Sequence, residues 1–491
     1  MPSNALRIFL GLSLVLVLLC PVAAASRDEW HFVYIEGKRA GYSRMQVLPH
    51  DGGGFITTMT EKMVLQRGKD KVETEVTSSQ EEDEDGRLLG FRYRQKLARN
   101  SMESTGTVRG GDIVVVDTVG GGKPRESRIA LDPKAVGPWK AEKEIQRCLK
   151  KPGDAVESVI FLPEVRRFGK QRAVLGEKEP VECEGSRQEL RRLKLTVDII
   201  PEFATEEWID EEFRPWKSSM AVLGMRIVTC RATVEAVLAE DFSSPPEIFL
   251  ASSIPVRKSV PPQATETTYR LTAKGAAFPV REGSCLFDGP RQRLLREEGP
   301  RTRVLRVRKV LSSKRVERPV PPTPELAEHL RPNSYVQSDD KVIIGMAEKH
   351  AGKDRDAWET ARNLEAWVHD SIRTKDLNTA FATASEVAST MEGDCTEHSV
   401  LLAAILRASG LPSRVVAGLL YHKGAFVGHM WTEVWIGEWI ALDATLGRGG
   451  VGSDHIALVT SSLDSATVSQ FFLDMMPLLG NLEIEVLDIV E

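Results

Sequence analysis

One segment of the 491-residue chain restricts the fold more than any other: CTEHSVLLAAILRASG, from Cys395 to Gly410. It has no proline and no internal glycine, and residues 400–406 are apolar on every side. A helix that is apolar all round belongs in a protein interior. Gly410 suits the left-handed backbone that ends many helices, and the preceding Asp394 suits the N-cap. We therefore predict a central, buried α-helix that begins at Cys395.

The position of Cys395 allows two interpretations. At the first residue of a helix, the partial positive charge of the N-terminus favours a thiolate and lowers the pKa of the thiol. A thiolate at neutral pH is a strong nucleophile, and free backbone N–H groups at the same end could bind an oxyanion, the Cys395 amide among them. The structural alternative is a small side chain that packs at the helix start. Residues further along the chain favour the nucleophile.

The segment GHMWTEVWIGEWIALDAT predicts a β-hairpin. With a three-residue loop at residues 436–438, Trp435 opposes Trp439, and Asp443 lies on the same face as His429 and diagonal to it. One nitrogen of His429 can then bond to Asp443 while the other faces the cysteine. Acyl transfer needs this arrangement of nucleophile, base and orienting group. A register shift of one residue would move Asp443 to the other face.

The blocks GDC, LLAAILRASGLPSRVVAGL and GHMWTEVWIGEWIALDATLG, in this order, resemble the three motif blocks of the transglutaminase-like superfamily in its prokaryotic form. The resemblance runs from about Ala357 to Thr445. It implies a papain-like α+β core in which the cysteine-bearing helix packs on an antiparallel sheet. It also implies that Cys395 is the nucleophile, that His429 is the general base and acid, and that Asp443 orients His429. Known members include cross-linking transglutaminases, peptidases and amidases, and peptide N-glycanases.

Two features depart from the animal cross-linking members of that superfamily. Thr396 follows Cys395 where those enzymes carry tryptophan, and no acidic cluster resembles their calcium sites. We therefore expect a cysteine peptidase or amidase that acts on amide bonds through a thioester. One alternative is acyl transfer that cross-links protein glutamine; another is a non-catalytic envelope module with a vestigial triad. Trp431, on the same strand face as His429, either lines the acyl site or packs in the core.

Other residues near these motifs are expected to be structural. Glu397 and His398 turn partly away from the cysteine at helical spacing. Asp454 and His455 are expected at the start of a strand rather than over the site. An upstream helix is predicted from one apolar stripe, which consists of Ala357, Ala361, Leu364 and Val368.

The whole chain predicts an α+β protein with a large antiparallel β-region ahead of the domain just described. Residues 1–25 have a basic start, an apolar run and small residues before a cleavage point, a pattern typical of a signal peptide. Residues 27–240 contain repeated short strands with Gly- and Asp-rich turns and are predicted as a β-rich domain. Residues 241–324 are predicted as a β-rich connecting region with proline-rich linkers, and residues 325–491 as the transglutaminase-like domain.

The signal segment predicts export to the periplasm or the cell exterior, with an uncleaved membrane anchor as the alternative. Its removal would leave five of the six cysteines. That odd number fits one free thiol, while the pairing of the others is open. The cysteines show no metal-ligand spacing, so we expect no metal and no cofactor. A net charge of −5 does not indicate nucleic-acid binding. We expect a protein or peptide substrate, and the β-region could contact a cell-envelope partner.

Overall fold

The computed structural model describes residues 27–491 except 68–69, 98–99, 201–202, 223–224, 247–252, 276–277, 279–288, 312–314, 354, 374–380, 465–470, 472–474, 476–477 and 479–480. The described chain divides into two compact units. The N-terminal unit holds residues 27–118 and 124–248, and the C-terminal unit holds residues 119–123 and 249–491. The predicted signal peptide lies outside the described residues.

One long, mostly antiparallel sheet dominates the N-terminal unit. Its strands are β1 (Arg27–Ile35), β2 (Lys38–Pro49), β3 (Phe55–Arg67), β4 (Asp70–Glu82), β5 (Leu88–Leu97), β6 (Asn100–Arg109), β7 (Asp112–Val119), β8 (Arg125–Ala130), β9 (Ala135–Val136), β10 (Ala155–Leu162), β11 (Arg167–Cys183), β12 (Ser186–Val197), β13 (Thr205–Ile209), β14 (Pro215–Val222) and β15 (Met225–Ala232). The helices are α1 (Pro138–Cys148) and α2 (Val234–Ala239). β1 pairs with both β2 and β15, so it joins a meander of β1 to β8 to a second one of β10 to β15, with β9 parallel to β10 at its far edge.

A disulfide shows that this sheet curls. Cys183 in β11 bonds to Cys230 in β15, and their Cα atoms are 5.8 Å apart. Three other strands separate β11 from β15 in the sheet order. The sheet must therefore bend until these two strands face each other, around a core that includes Trp208 and Trp216.

The same disulfide assigns partners to two of the cysteines. Cys148 and Cys395 are free thiols, half-buried and buried respectively. Cys285 lies outside the described residues. The structure thus supplies a pairing that the sequence left open.

The described part of the C-terminal unit contains four α-helices, one 3₁₀-helix (Ala327–His329) and two sheets. The helices are α3 (Lys341–His350), α4 (Ala357–Ser371), α5 (Ala384–Thr390) and α6 (Cys395–Ala408). The larger sheet contains β16 (Ile254–Pro255), β20 (Ser413–His422), β21 (Ala425–Trp435), β22 (Trp439–Leu442) and β23 (His455–Ser461). The smaller sheet contains β17 (Glu266–Ala273), β18 (Gln292–Glu297), β19 (Thr302–Arg308) and β24 (Leu482–Val490). In the larger sheet β21 lies between β20 on one side and β16 with β22 on the other.

α6 is the central element of the C-terminal unit. Helices α3, α4 and α5 pack against it, and it lies on β20 and β21. Every residue of α6 from Cys395 to Arg407 is buried, which confirms the prediction from its apolar sequence. Gly410 follows with a φ of 78°, the left-handed conformation expected there. The predicted apolar stripe of α4 is also fully buried.

The elements confirm the α+β class, because the N-terminal unit has a mostly antiparallel sheet and the C-terminal unit has helices beside a sheet. The last strand of the chain is β24, whose Leu482, Ile484 and Val486 share a buried face. β24 pairs with β17, so one sheet combines strands from residues 241–324 and 325–491. The predicted domain boundaries stay predictions. Among the described residues, no helix has both the length and the apolar character to cross a bilayer.

Candidate active site

A capping box fixes the end of α6 that carries the cysteine. Asp394, the predicted N-cap, accepts a hydrogen bond from the Thr396 amide at 2.9 Å. Glu397 Oε2 accepts one from the Asp394 amide, also at 2.9 Å. His398 Nδ1 lies 2.5 Å from the Asp394 carbonyl oxygen. Such contacts satisfy polar groups that the first helical turn leaves open. Glu397 and His398 therefore have structural roles and hold Cys395 in position.

Cys395 is fully buried at the start of α6. Burial raises the pKa of its thiol well above the usual value, and the charges of Asp394, Glu397 and Asp443 act in the same direction. A hydrogen bond from the Met430 amide to the sulfur acts in the opposite direction. The expectation of a lowered pKa is wrong for this conformation, because desolvation outweighs the partial charge of the helix end. The thiol is therefore neutral here.

His429 and Asp443 meet on the predicted hairpin. β21 and β22 pair with Trp435 opposite Trp439, which confirms the predicted register. β22 ends at Leu442, one residue before Asp443. Nε2 of His429 lies 2.8 Å from Oδ2 of Asp443, and both side chains are buried. Nε2 donates to the carboxylate, so Nδ1 is the ring nitrogen left for another partner.

The cysteine approaches this hairpin at an uncovered edge of β21. β22 pairs with β21 only as far as Thr432, so the preceding residues of β21 have no β22 partner. There the Met430 amide donates to the Cys395 sulfur. The Thr432 hydroxyl donates to the Ser399 carbonyl at 3.1 Å and ties α6 to β21. The sulfur thus lies against the backbone of the residue that follows His429. The structure gathers the three predicted residues where α6, β21 and the end of β22 meet.

Two polar residues of α4 hold the loop that follows β22. Glu365 Oε1 accepts a hydrogen bond from the Asp443 amide at 3.0 Å. His369 Nδ1 lies 2.9 Å from the Ala444 carbonyl oxygen. Burial raises the pKa of Glu365 to about 7, although the Asp443 amide opposes this shift. Neither residue was predicted from the sequence. Their spacing of four, which puts them on one helix face beside the apolar stripe, is the signal that could have found them.

His455 makes a second contact with the carboxylate of Asp443. Its Nε2 lies 3.2 Å from Asp443 Oδ2, and its Nδ1 lies 2.7 Å from Asp454 Oδ1. Asp454 also accepts from Arg448 Nη1 at 2.8 Å. Burial disfavours a charged ring, but Asp454 and Asp443 outweigh it and raise the pKa of His455. His455 does begin β23, as expected, yet it also reaches the site, which was not expected.

The charge of Asp443 depends on these histidines. Its side chain is only 1% exposed, and burial alone would disfavour the carboxylate. His429 and His455 outweigh the burial and hold the pKa of Asp443 well below its usual range. Asp443 is therefore ionised and accepts from both rings through one oxygen.

One group of described residues has metal-ligand geometry. His429, Asp443 and His455 each offer a ligand atom, and these atoms lie within 4.8 Å of one another. Two imidazoles and a carboxylate form a donor set that suits several transition metals. Both Nε2 atoms, however, lie within hydrogen-bond distance of the same carboxylate oxygen. Hydrogen bonds therefore account for the cluster without an ion.

Trp431 lies beside His429 on the same strand face, with the ring centroids 6.2 Å apart. Its side chain is fully enclosed and packs against Val416, Ala441 and Ala457. Its Nε1 is buried and has no hydrogen-bond partner among the described residues. Trp431 thus packs in the core next to the histidine, and its role in substrate binding stays a prediction.

The comparison with protein families agrees with the geometry. Residues 344–444 match the family model of the transglutaminase-like superfamily. This range contains Cys395, His429 and Asp443. The C-terminal third of the chain therefore carries a transglutaminase-like domain, and the resemblance stated from the motifs is confirmed.

Solved structures resemble parts of the chain. A β-barrel-like protein of a domain of unknown function from Brucella abortus has 13% identity and a TM-score of 0.34, covering 43% of this chain and 98% of that one. A candidate cysteine protease from Cytophaga hutchinsonii has 18% identity and a TM-score of 0.29, covering 48% and 88%. A candidate protease from Parabacteroides distasonis has 10% identity and a TM-score of 0.19, covering 74% and 68%. Similarity at this level carries no argument about activity. The comparison with curated proteins finds no match.

Proposed function

We propose that the C-terminal unit is a cysteine enzyme that cleaves amide bonds through a thioester intermediate. Cys395 is the nucleophile, His429 the general base and acid, and Asp443 the group that orients His429. The observation that carries the proposal is the 2.8 Å hydrogen bond between His429 and Asp443, beside a cysteine at a helix N-terminus. Nucleophile, base and orienting group in this relation are the parts that thiol acyl transfer requires.

The first half-reaction forms the thioester. Because the resting thiol of Cys395 is neutral, its proton moves to Nδ1 of His429 as the sulfur attacks the amide carbonyl carbon. Asp443 accepts from Nε2 throughout and stabilises the imidazolium that results. The amide of Cys395 is used by no hydrogen bond of the described residues, so it can receive the oxyanion. The imidazolium then gives its proton to the leaving nitrogen, and the carbon–nitrogen bond breaks.

The second half-reaction consumes the thioester. A water molecule gives a proton to Nδ1 of His429 and attacks the acyl carbon, and the carbon–sulfur bond breaks. The sulfur regains the proton, and a carboxylic acid leaves. Hydrolysis is our choice over transfer to an amine, because nothing in the sequence marks a site for an acceptor amine. Under transfer, a lysine-like amine would take the place of water, and a cross-link would form. We place Trp431 at the acyl side of the site as a part of the same proposal.

A non-catalytic role is the second candidate, and the burial of Cys395 favours it. The thiol has no exposed surface and its pKa is raised, so the described conformation does not offer the sulfur to a substrate. In a catalytic cycle the residues that cover the sulfur must move when the substrate binds. In a scaffold they would stay in place, and the triad would be a remnant.

The experiment is a search for an acyl group on Cys395. Peptide, isopeptide and cell-wall amide substrates are incubated with the full chain, and the Cys395 peptide is examined by mass spectrometry after acid quenching. We expect an added acyl mass on that peptide, its removal by hydroxylamine, and amide cleavage that disappears in Cys395→Ala. Addition of a free amine separates hydrolysis from transfer by the product that forms.

Cys148 provides the matched control because it is the other free thiol of the described residues. Cys148→Ala should retain both the acyl adduct and amide cleavage. Unchanged cleavage in Cys395→Ala would remove the nucleophile from the proposal. Absence of adduct and of cleavage for all three substrate classes would favour the scaffold.

Location and partners are further parts of the proposal. The N-terminal segment supports export to the periplasm or the cell exterior. The β-rich N-terminal unit would then present the enzyme to a cell-envelope partner. N-terminal sequencing of the protein purified from cell fractions tests the export, since cleavage near residue 25 is the expected result.

A further inference from the structure

The site contains a second histidine whose surroundings decide its protonation state. Both ring nitrogens of His455 face carboxylate oxygens, Nδ1 that of Asp454 and Nε2 that of Asp443. A carboxylate can only accept, so each nitrogen must carry a proton. The ring is 1% exposed, so bulk solvent has little access to these bonds. Burial opposes the charged carboxylates, but the histidines and Arg448 outweigh it and lower the pKa values of Asp443 and Asp454. Both groups therefore accept, and the geometry makes His455 an imidazolium.

We propose that His455 is a positioning residue: as a fixed imidazolium it holds the shared oxygen of Asp443 and keeps that carboxylate aligned with His429. This inference rests on the proposed function, since it assigns a task within that site. His455 acts through Asp443 and through its charge rather than by contact with a substrate.

The task of His455 is the orientation of Asp443. A carboxylate that accepts only from His429 could rotate, and the base would lose its alignment. Four contacts to Asp443 prevent this here. Oδ2 accepts from His429 and His455, Oδ1 accepts from the Thr445 amide at 2.9 Å, and the backbone amide of Asp443 is held by Glu365. The carboxylate thus keeps one orientation whether or not His429 carries an extra proton.

The surrounding charges are consistent with a fixed cation. The charged and titratable groups that contact His455 or its two carboxylates, or interact with them electrostatically, include Asp443, Asp454, His429, Cys395, Tyr269, Arg448, Arg291 and Glu365. Arg448 forms an ion pair with Asp454, and its side chain is 37% exposed. Arg291 donates to the backbone carbonyl of His455 at 2.8 Å.

Two measurements test the inference. In the first, nitrogen NMR of the histidine-labelled wild-type chain reports the protons on the His455 ring, with the signal assigned by its loss in His455→Gln. We expect both ring nitrogens to be protonated at pH 8. A ring with one bare nitrogen at pH 8, the form a metal ligand needs, overturns the inference. This measurement requires no variant to be active.

In the second, the kinetics of amide cleavage are compared between the wild type and His455→Gln. Loss of the ring that holds Asp443 should misalign the base, lower kcat by about 10²-fold and leave KM nearly unchanged. A purely structural role would lower the amount of folded protein without changing kcat per folded molecule. His422→Gln, the same substitution at a half-buried end of β20, is the matched control and should leave kcat and KM unchanged.

The two proposals fail separately. An unchanged kcat in a folded His455→Gln protein refutes the positioning role while the thiol mechanism survives. If no acyl group ever forms on Cys395, the proposed function fails, and the NMR result on the wild type still decides whether His455 is an imidazolium.

Discussion

The energetic effect of burial at the site can be measured through the carboxyl group of Glu365, as a change in the free energy of unfolding with pH. Glu365 lies on α4, is 2% exposed and accepts from the Asp443 amide. Burial raises its pKa from 4.5 to about 7. The folded chain therefore binds this proton more tightly than the unfolded chain does. Stability from this group is fully present below pH 4.5 and is lost as the pH rises through 7.

The substitution Glu365→Gln removes the titration and keeps an amide oxygen for the Asp443 N–H. From the two pKa values, ionisation should cost the wild type about 0.8 kcal/mol at pH 5 and about 3.3 kcal/mol at pH 8. The variant has no such cost, so its advantage over the wild type should grow by about 2.5 kcal/mol between these pH values. A hydrogen bond lost to the new NH₂ group would cost the same at both pH values and would cancel from this difference.

The assay is urea unfolding at pH 5 and pH 8, read by pulse-labelling hydrogen exchange at one fixed labelling pH. Mass spectrometry of peptides from α4 then reports the free energy of unfolding for the C-terminal unit. Glu359→Gln on the same helix is the control, since its side chain is 49% exposed and has little burial to relieve. A difference that changes by less than about 0.5 kcal/mol between the two pH values would refute the reasoning.

Two further predictions address the other unit and the base. Replacement of both Cys183 and Cys230 by alanine should lower the unfolding free energy of the N-terminal unit by about 4 kcal/mol, because the bond closes a loop across a sequence separation of 47. Urea unfolding measures this loss, and equal stability of the oxidised wild type and the double variant would contradict it. Asp443→Asn should reduce kcat by about 10⁴-fold, because an amide favours the wrong tautomer of His429. Amide-cleavage kinetics on folded protein measure the effect, and a loss of less than tenfold would show that Asp443 does not orient the base.

Local patterns in the sequence were enough to predict the main parts of the candidate site. An apolar run without breakers fixed α6 and its buried position, and the loop length of the hairpin fixed the register that brings Asp443 to His429. Both features depend on periodicities over a few residues, so no knowledge of the tertiary fold was needed.

Features that depend on distant parts of the chain were missed. His455 reaches the site only through the path of the loop after Asp443, which no local pattern determines. Glu365 lies next to an apolar stripe, where the sequence pattern predicts a solvent-facing residue. In the structure its side chain is buried. The prediction of a lowered pKa for Cys395 was wrong for the same reason. The effect of the helix end is local and could be foreseen, but the desolvation comes from the surrounding fold.

The position of β1 in the sheet affects how the N-terminal unit folds during synthesis. Its two neighbours are β2, which follows it directly, and β15, which comes last in the sheet part of that unit. A nascent chain would therefore display one edge of β1, with unsatisfied backbone donors and acceptors, until nearly the whole unit has emerged. Exposed strand edges recruit other chains. We expect this unit to need a chaperone during its biogenesis, and to close late, when β15 takes its place.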